Sequence, residues 1–227
     1  VKSNLESLFS KQNFSIKVIY QSFLKSKTDD DRILKILNLE ESDFLLHVGS
    51  FDKRKDLITL VKAFKLLKSD KKNKHLKLVL AGQKILNGNV EVLNELESYI
   101  FTNNLSKSVL MTGYLSTEEI TSLYQKAFIY VFPSVEEGFG IPVLEAFALK
   151  TPVVTSNAPA MVEIAQGAAE HYNAGDQVEL FKILIKLIAS ESERTCLIEK
   201  GSKRLKDFSR EKFIKDYECF ILKSVKI

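Results

Sequence analysis

Short apolar runs alternate with amphipathic stretches along most of this chain, and that rhythm leaves few folds open. Phe44 to Val48, Leu76 to Ala81, Val109 to Thr112, Ala127 to Phe132 and Pro152 to Thr155 read as strands. Between them, Asp56 to Lys68, Val90 to Thr102, Thr117 to Lys126 and Pro142 to Leu149 read as helices, with Ser116 and Glu119 forming a capping box. Asp176 caps a helix over Val178 to Ala189, and two more helices finish the chain. Strands apolar along their whole length are covered on both faces, which requires a parallel sheet. The fold class is therefore α/β, a Rossmann-like parallel sheet with helices on both faces.

In such sheets, ligands bind at the carboxyl ends of the strands. The loops there are Gly49 to Asp56, Gly82 with Gln83, Gly113 to Leu115, and Pro133 to Gly140. The last carries Glu137 beside Gly138, Phe139 and Gly140, and a second glutamate, Glu145, with seven residues between the two, lies in a helix opened by Pro142. The glycines leave room for a ligand near the main chain, and the helix start attracts phosphate. Both carboxylates are expected to face one pocket, Glu145 accepting from a sugar diol. Acidic residues also favour first helical turns for the dipole alone, and Gly-Phe-Gly by itself is only a tight turn. Lys53, Arg54 and Lys55 sit just before a helix, where a basic run suits a diphosphate or forms a plain solvent-exposed turn.

Composition narrows the classes. At 227 residues and 45% hydrophobic, the chain buries a substantial core. The net charge of +4 comes from dispersed lysines, without the clustered aromatic-lined stripe that nucleic acid requires. Lys2, Lys11, Lys17, Lys25 and Lys27 suit either an anionic membrane surface or plain solubility. Cys196 and Cys219 read as free thiols of a reducing cytosol, and scattered His47, His75 and His171 argue against zinc. No apolar run approaches a membrane span of about 20 residues, and no signal peptide is recognisable.

From about Leu45 onward the sequence resembles the C-terminal domain of family 4 glycosyltransferases, retaining enzymes of the GT-B fold. The resemblance rests on Phe132-Pro133-Ser134, Glu137-Gly138-Phe139-Gly140, Pro142 and Leu144-Glu145-Ala146. It implies transfer of a hexose from a nucleoside diphosphate sugar to a saccharide or lipid-linked acceptor, with retention through same-face attack and without metal or other cofactor. Arg54 and Lys55 become the diphosphate clamp, Ser50 replacing an arginine common after Gly49 in the family. Glu137 is expected to hold the sugar and Glu145 the ribose. Gly138, Phe139 and Gly140 would face the phosphates, while Leu115 packs on the base or into the core. Glu163 falls on a family glutamate, with Val162 replacing the usual proline.

The resemblance also implies domain limits. Residues 1–25 correspond to the end of an N-terminal acceptor domain and a linker strand, Ile16 to Tyr20; 26–205 to the nucleotide-sugar-binding domain; and 206–227, including Phe208 and Ser209, to a helix crossing toward the other domain. Expected partners are the donor and an acceptor held by that domain, with a cytoplasmic location at the inner membrane face. The Gly-Ser and Arg-Lys pattern leans toward GDP-mannose-like donors. Competing readings are a non-catalytic nucleotide-sugar-binding subunit and another GT-B activity, a phosphorylase or epimerase.

Overall fold

The computed structural model describes residues 16–23, 28, 30–40, 43–83 and 90–225. They fall into two compact units, one over Lys25–Arg204 and the other drawn from the residues on either side of it.

The larger unit is built on six parallel strands: β1 (Phe44–Val48), β2 (Lys77–Ala81), β3 (Val109–Gly113), β4 (Ile129–Phe132), β5 (Val153–Ser156) and β6 (Glu170–Tyr172), in spatial order β3-β2-β1-β4-β5-β6. The order reverses beside β1, whose partners are β2 on one side and β4 on the other. A crevice opens at such a reversal, above the carboxyl ends of the strands. The loops after β1 and β4 meet there.

Helices cover both faces. Leu45, Leu78, Leu80, Ile129, Val131 and Val154 point into a core shared with α2 (Leu57–Lys68), α3 (Val90–Thr102) and α7 (Gln177–Ala189). On the other face α4 (Thr117–Lys126) meets β1, and α5 (Ile141–Ala148) meets β4 and β5. Helix α8 (Glu191–Arg204) packs on α5, where Gly201 approaches so closely that a Cβ would stand 2.6 Å from Phe147 Cδ1. Two short helices complete the unit, α1 (Arg32–Ile36) and α6 (Pro159–Ala165).

Several element boundaries agree with the sequence reading for identifiable reasons. Ser116 accepts from the Glu119 amide while Glu119 accepts from the Ser116 amide, which fixes the start of α4. Asp176 accepts from the amides of Val178 and Glu179 and starts α7. Other boundaries shift. The strand expected from Ala127 begins at Ile129, because the Ala127 amide still donates to Leu123 and closes α4. Helix α5 begins at Ile141, so Pro142 occupies its second position instead of the first.

In the smaller unit, α9 (Arg210–Val225) follows a 3-10 turn over Leu205–Phe208. Ile16 to Tyr20, expected as a linker strand, form no regular element. The Phe23 amide donates to the Phe208 carbonyl, and the Tyr20 ring packs 5.2 Å from that of Phe208. Lys17 is paired with Asp216, whereas Lys2, Lys11, Lys25 and Lys27 lie outside the described residues.

Candidate functional site

The front edge of the sheet starts with backbone packing. The Gly49 amide donates to Ala81 and the Gly82 amide to Gly113, so the chain ends of β1, β2 and β3 are tied in series. Gly82 lies against Gly49 so tightly that a Cβ there would meet the Gly49 carbonyl oxygen at 1.9 Å. Only glycine permits that approach.

After Gly49 the chain turns through Asp52, whose Oδ1 accepts from the Arg54 amide and whose Oδ2 accepts from the Ser50 hydroxyl at 2.7 Å. Desolvation works against this carboxylate, but the Ser50 and Arg54 contacts outweigh it and lower its pKa. The three basic residues that follow separate sharply. Lys53 and Arg54 are exposed, and the Arg54 guanidinium reaches Asp52 at 3.4 Å with 55% of its side chain open to solvent. Lys55 instead turns inward, its side chain only 10% exposed.

Lys55 is buried against the β4 loop. Its ammonium lies 4.7 Å from the centre of the Phe132 ring and pairs with Glu137 Oε1, a carboxylate whose side chain is 15% exposed. An ammonium so far removed from water needs an opposite charge and a polarisable face, and it has both. The Ser134 hydroxyl lies 2.7 Å from Glu137 Oε1 and 3.0 Å from the Arg54 carbonyl oxygen. The Val135 amide donates to that same carbonyl at 2.8 Å. The 53–55 and 134–137 segments are therefore joined by backbone and side chain together.

Behind this pair stands His47, fully buried and parallel to the Phe132 ring at 6.0 Å. Its Nδ1 lies 3.2 Å from the Val131 carbonyl oxygen, which can only accept, so that nitrogen carries the proton. Burial first, and the neighbouring Lys55 charge further, push its pKa down to about 3, leaving the ring neutral.

Glu145 occupies the other end of the same aromatic wall. The Tyr124 hydroxyl, from the end of α4, lies 3.2 Å from Glu145 Oε2 and 3.3 Å from the Pro142 carbonyl oxygen. The Tyr124 ring packs 5.0 Å from Tyr130, and Tyr130 packs 6.0 Å from Phe132. Desolvation raises the Glu145 pKa, and the Tyr124 hydrogen bond offsets only part of that rise. What joins the two glutamates is thus a row of packed rings, Phe132, Tyr130 and Tyr124, with Lys55, the partner of Glu137, over one end and Glu145 engaged at the other. Sequence reading missed Tyr124, Tyr130 and Ser134 as site residues. In the sequence Tyr124 is one residue of the helix over Thr117 to Lys126, and nothing local links it to a glutamate 21 positions away.

The remaining expected positions are distributed unevenly. Gly140 precedes α5 at φ +106, and a Cβ there would meet Met161 Cε at 2.6 Å. Gly138 is exposed and Phe139 half-buried. At the end of β3, Leu115 is buried at 9% exposure while Tyr114 beside it is 78% exposed, so it is Tyr114 that presents an open side chain. Glu163 sits in α6, its carbonyl oxygen accepting from Arg204 at 2.9 Å. Ser50 is occupied by Asp52. Among the described residues no group of three or more His, Cys, Asp or Glu side chains is placed to hold a metal, and no helix is long and apolar enough to cross a membrane.

Residues 29–204 match the family described as glycosyl transferases group 1. The chain is 31% identical over 177 residues to the O-antigen chain mannosyltransferase RfbU of Salmonella typhimurium, covering 78% of this chain and 45% of that protein. Among solved structures it superimposes on Anabaena Alr3699/HepE in complex with UDP with a TM-score of 0.80 at 20% identity, over 92% of this chain and 57% of that one. It also superimposes on the C-terminal domain of LpcC, a group 1 glycosyl transferase from Francisella tularensis, with a TM-score of 0.69 at 22% identity, over 84% of this chain and 97% of that one. The chain spans less than half the length of the curated mannosyltransferases it matches first, 45% in each case. The match over residues 29–204, on a six-stranded Rossmann-like sheet, places this chain in the family of group 1 glycosyl transferases.

Proposed function

We propose that this chain is the donor-binding half of a retaining hexosyltransferase that uses a nucleoside diphosphate sugar, with a hexose such as mannose passed to a saccharide or lipid-linked acceptor. The observation that carries the reading is the grouping of Lys55, Glu137 and Glu145 along one aromatic wall at the carboxyl edge of the sheet. In this reading Glu145 accepts from the ribose hydroxyls and Glu137 from those of the sugar. Lys55 and Arg54 face the diphosphate together with the start of α5. The bond from the anomeric carbon to the phosphate oxygen breaks, and the acceptor oxygen bonds to that carbon from the same face. The acceptor's proton passes to the departing phosphate oxygen, so charge balances without a separate base from this chain and without a metal. The acceptor is bound by a facing domain outside these residues, at the cytoplasmic face of a membrane in the case of a lipid-linked acceptor. The names of mannosyltransferase relatives support the choice of mannose.

The test is binding of UDP, GDP, ADP and TDP, followed by their sugars, measured as a shift in melting temperature. A ligand present at 100 times its dissociation constant adds about 2.7 kcal/mol to stability. Failure of all four diphosphates to move the transition of a folded sample overturns the reading. A binding-only subunit is separated from an enzyme half by restoring the facing domain and assaying transfer.

A further inference from the structure

From the sequence, Lys55 and Glu137 read as partners of two different parts of a donor, yet in the structure they are partners of each other. Both side chains are largely withdrawn from water. Lys55 is further confined by the Phe132 ring and Glu137 by the Ser134 hydroxyl, and the segments carrying them are stitched through the Arg54 carbonyl. This is a formed ion pair in a low-dielectric setting, where a partner is costly to lose.

A diphosphate approaching Lys55 must therefore displace, or share the lysine with, a carboxylate already bound there. Two anions then compete for one ammonium, and the repulsion between them is screened less than in bulk water because little water intervenes. A sugar on the diphosphate changes the outcome. Its hydroxyls can donate to Glu137 as the carboxylate gives up Lys55, so the lost ion pair is replaced by new hydrogen bonds. A bare diphosphate offers no such donors. We infer that Glu137, through its ion pair with Lys55, sets the discrimination between the sugar-carrying donor and the nucleoside diphosphate left after transfer, and recaptures Lys55 as that product leaves. This rests on the donor-binding reading above and adds a role for Glu137 beyond contact with the sugar.

The inference inverts the usual consequence of removing a binding-site carboxylate. Calorimetry of the full chain with GDP and with UDP, and with guanosine and uridine as controls, tests it in the parent, Glu137→Gln, Lys55→Gln and the double variant. Glu137→Gln is expected to bind the diphosphate about tenfold more tightly than the parent, equivalent to about 1.4 kcal/mol, with nucleoside affinity unchanged. The gain should vanish when Lys55 is also replaced, because the competition needs the lysine. Glu137→Ala carries the same expectation should the Gln variant fold poorly. With a nucleotide-sugar, the parent's advantage of donor over diphosphate should shrink in either Glu137 variant. Unchanged or weaker diphosphate binding by Glu137→Gln, in a parent that binds the diphosphate, overturns the inference and leaves the donor reading standing. An equal gain for the nucleosides overturns it as well. Absence of binding in parent and variants alike removes the donor reading and this inference together.

Discussion

The hydroxyl of Tyr124 lies 3.2 Å from Glu145 Oε2, a contact between the last turn of α4 and the middle of α5, the helices that precede and follow β4 in the chain. It places a neutral donor on a carboxylate that burial would otherwise push toward protonation. Glu145 is thereby kept oriented while its charge remains weakly compensated, a state suited to accepting hydrogen bonds from an incoming diol.

Replacing Glu145 by Gln should separate binding from stability. Nucleoside and nucleoside diphosphate affinity are both expected to fall by about 1.5–3 kcal/mol, the scale of a hydrogen bond to a charged group. Calorimetry with both ligands checks this, and a loss confined to the diphosphate would contradict the ribose assignment.

Acidification offers an independent check. Because burial raises the Glu145 pKa above 4.5, the native state holds this proton more tightly than the unfolded chain does. The ionised group therefore costs stability above the raised value. That cost disappears as pH falls through the raised value toward 4.5. At neutral pH, Glu145→Gln should accordingly melt no lower than the parent while binding nucleotide less well. Nucleotide affinity should drop on acidification at a pH above 4.5, and the drop should come at higher pH in Tyr124→Phe, which loses the one contact that lowers the Glu145 pKa. Coincident profiles for parent and Tyr124→Phe would show that this contact does not tune the group.

Arg54→Ala should leave stability within about 0.5 kcal/mol, since its exposed pairing with Asp52 is screened by solvent. Diphosphate affinity should fall far more than nucleoside affinity, and the difference should narrow as salt rises from 50 mM to about 1 M, where the screening length shrinks to roughly 3 Å. Titrations at the two salt concentrations measure the effect.

Gly140→Ala should destabilise the fold by about 1–3 kcal/mol or more, because φ +106 strains any side chain and its Cβ would meet Met161 Cε at 2.6 Å. Met161→Ala in the same chain would relieve the contact but not the backbone strain. Chemical denaturation of the two single variants and the pair apportions the cost, and full recovery in the pair would mean that the strain is negligible.

The fold was largely legible because its cues are local. Val90–Thr102 and Thr117–Lys126 form helices with the same ends in sequence and structure, one from periodicity alone and the other from its capping box. Elements that escaped notice lack such cues. Glu170–Tyr172 is a three-residue strand containing Glu and His, and Pro159–Ala165 is a seven-residue helix without a side-chain cap. At the site, the Glu137 and Glu145 spacing and the basic run were visible, but the pairing of Lys55 with Glu137 spans 82 positions. It follows from the adjacency of β1 and β4, which no local pattern encodes. Nothing local in Lys53, Arg54 and Lys55 marks which of the three side chains is buried. Only the 3-10 turn capped by Asp52 sends two of them to solvent and one inside.

The contact between Gly49 and Gly82 limits how this edge can change over evolutionary or engineering time. With a carbonyl of one turn pressed on the α-carbon of the next, neither turn can lengthen or swing without dislodging its neighbour. New ligand preferences must therefore come from exchanging side chains on a fixed rim, as at Ser50 or Tyr114, and a library that varies those positions while sparing the two glycines should keep a far larger share of folded members than one that inserts residues between them.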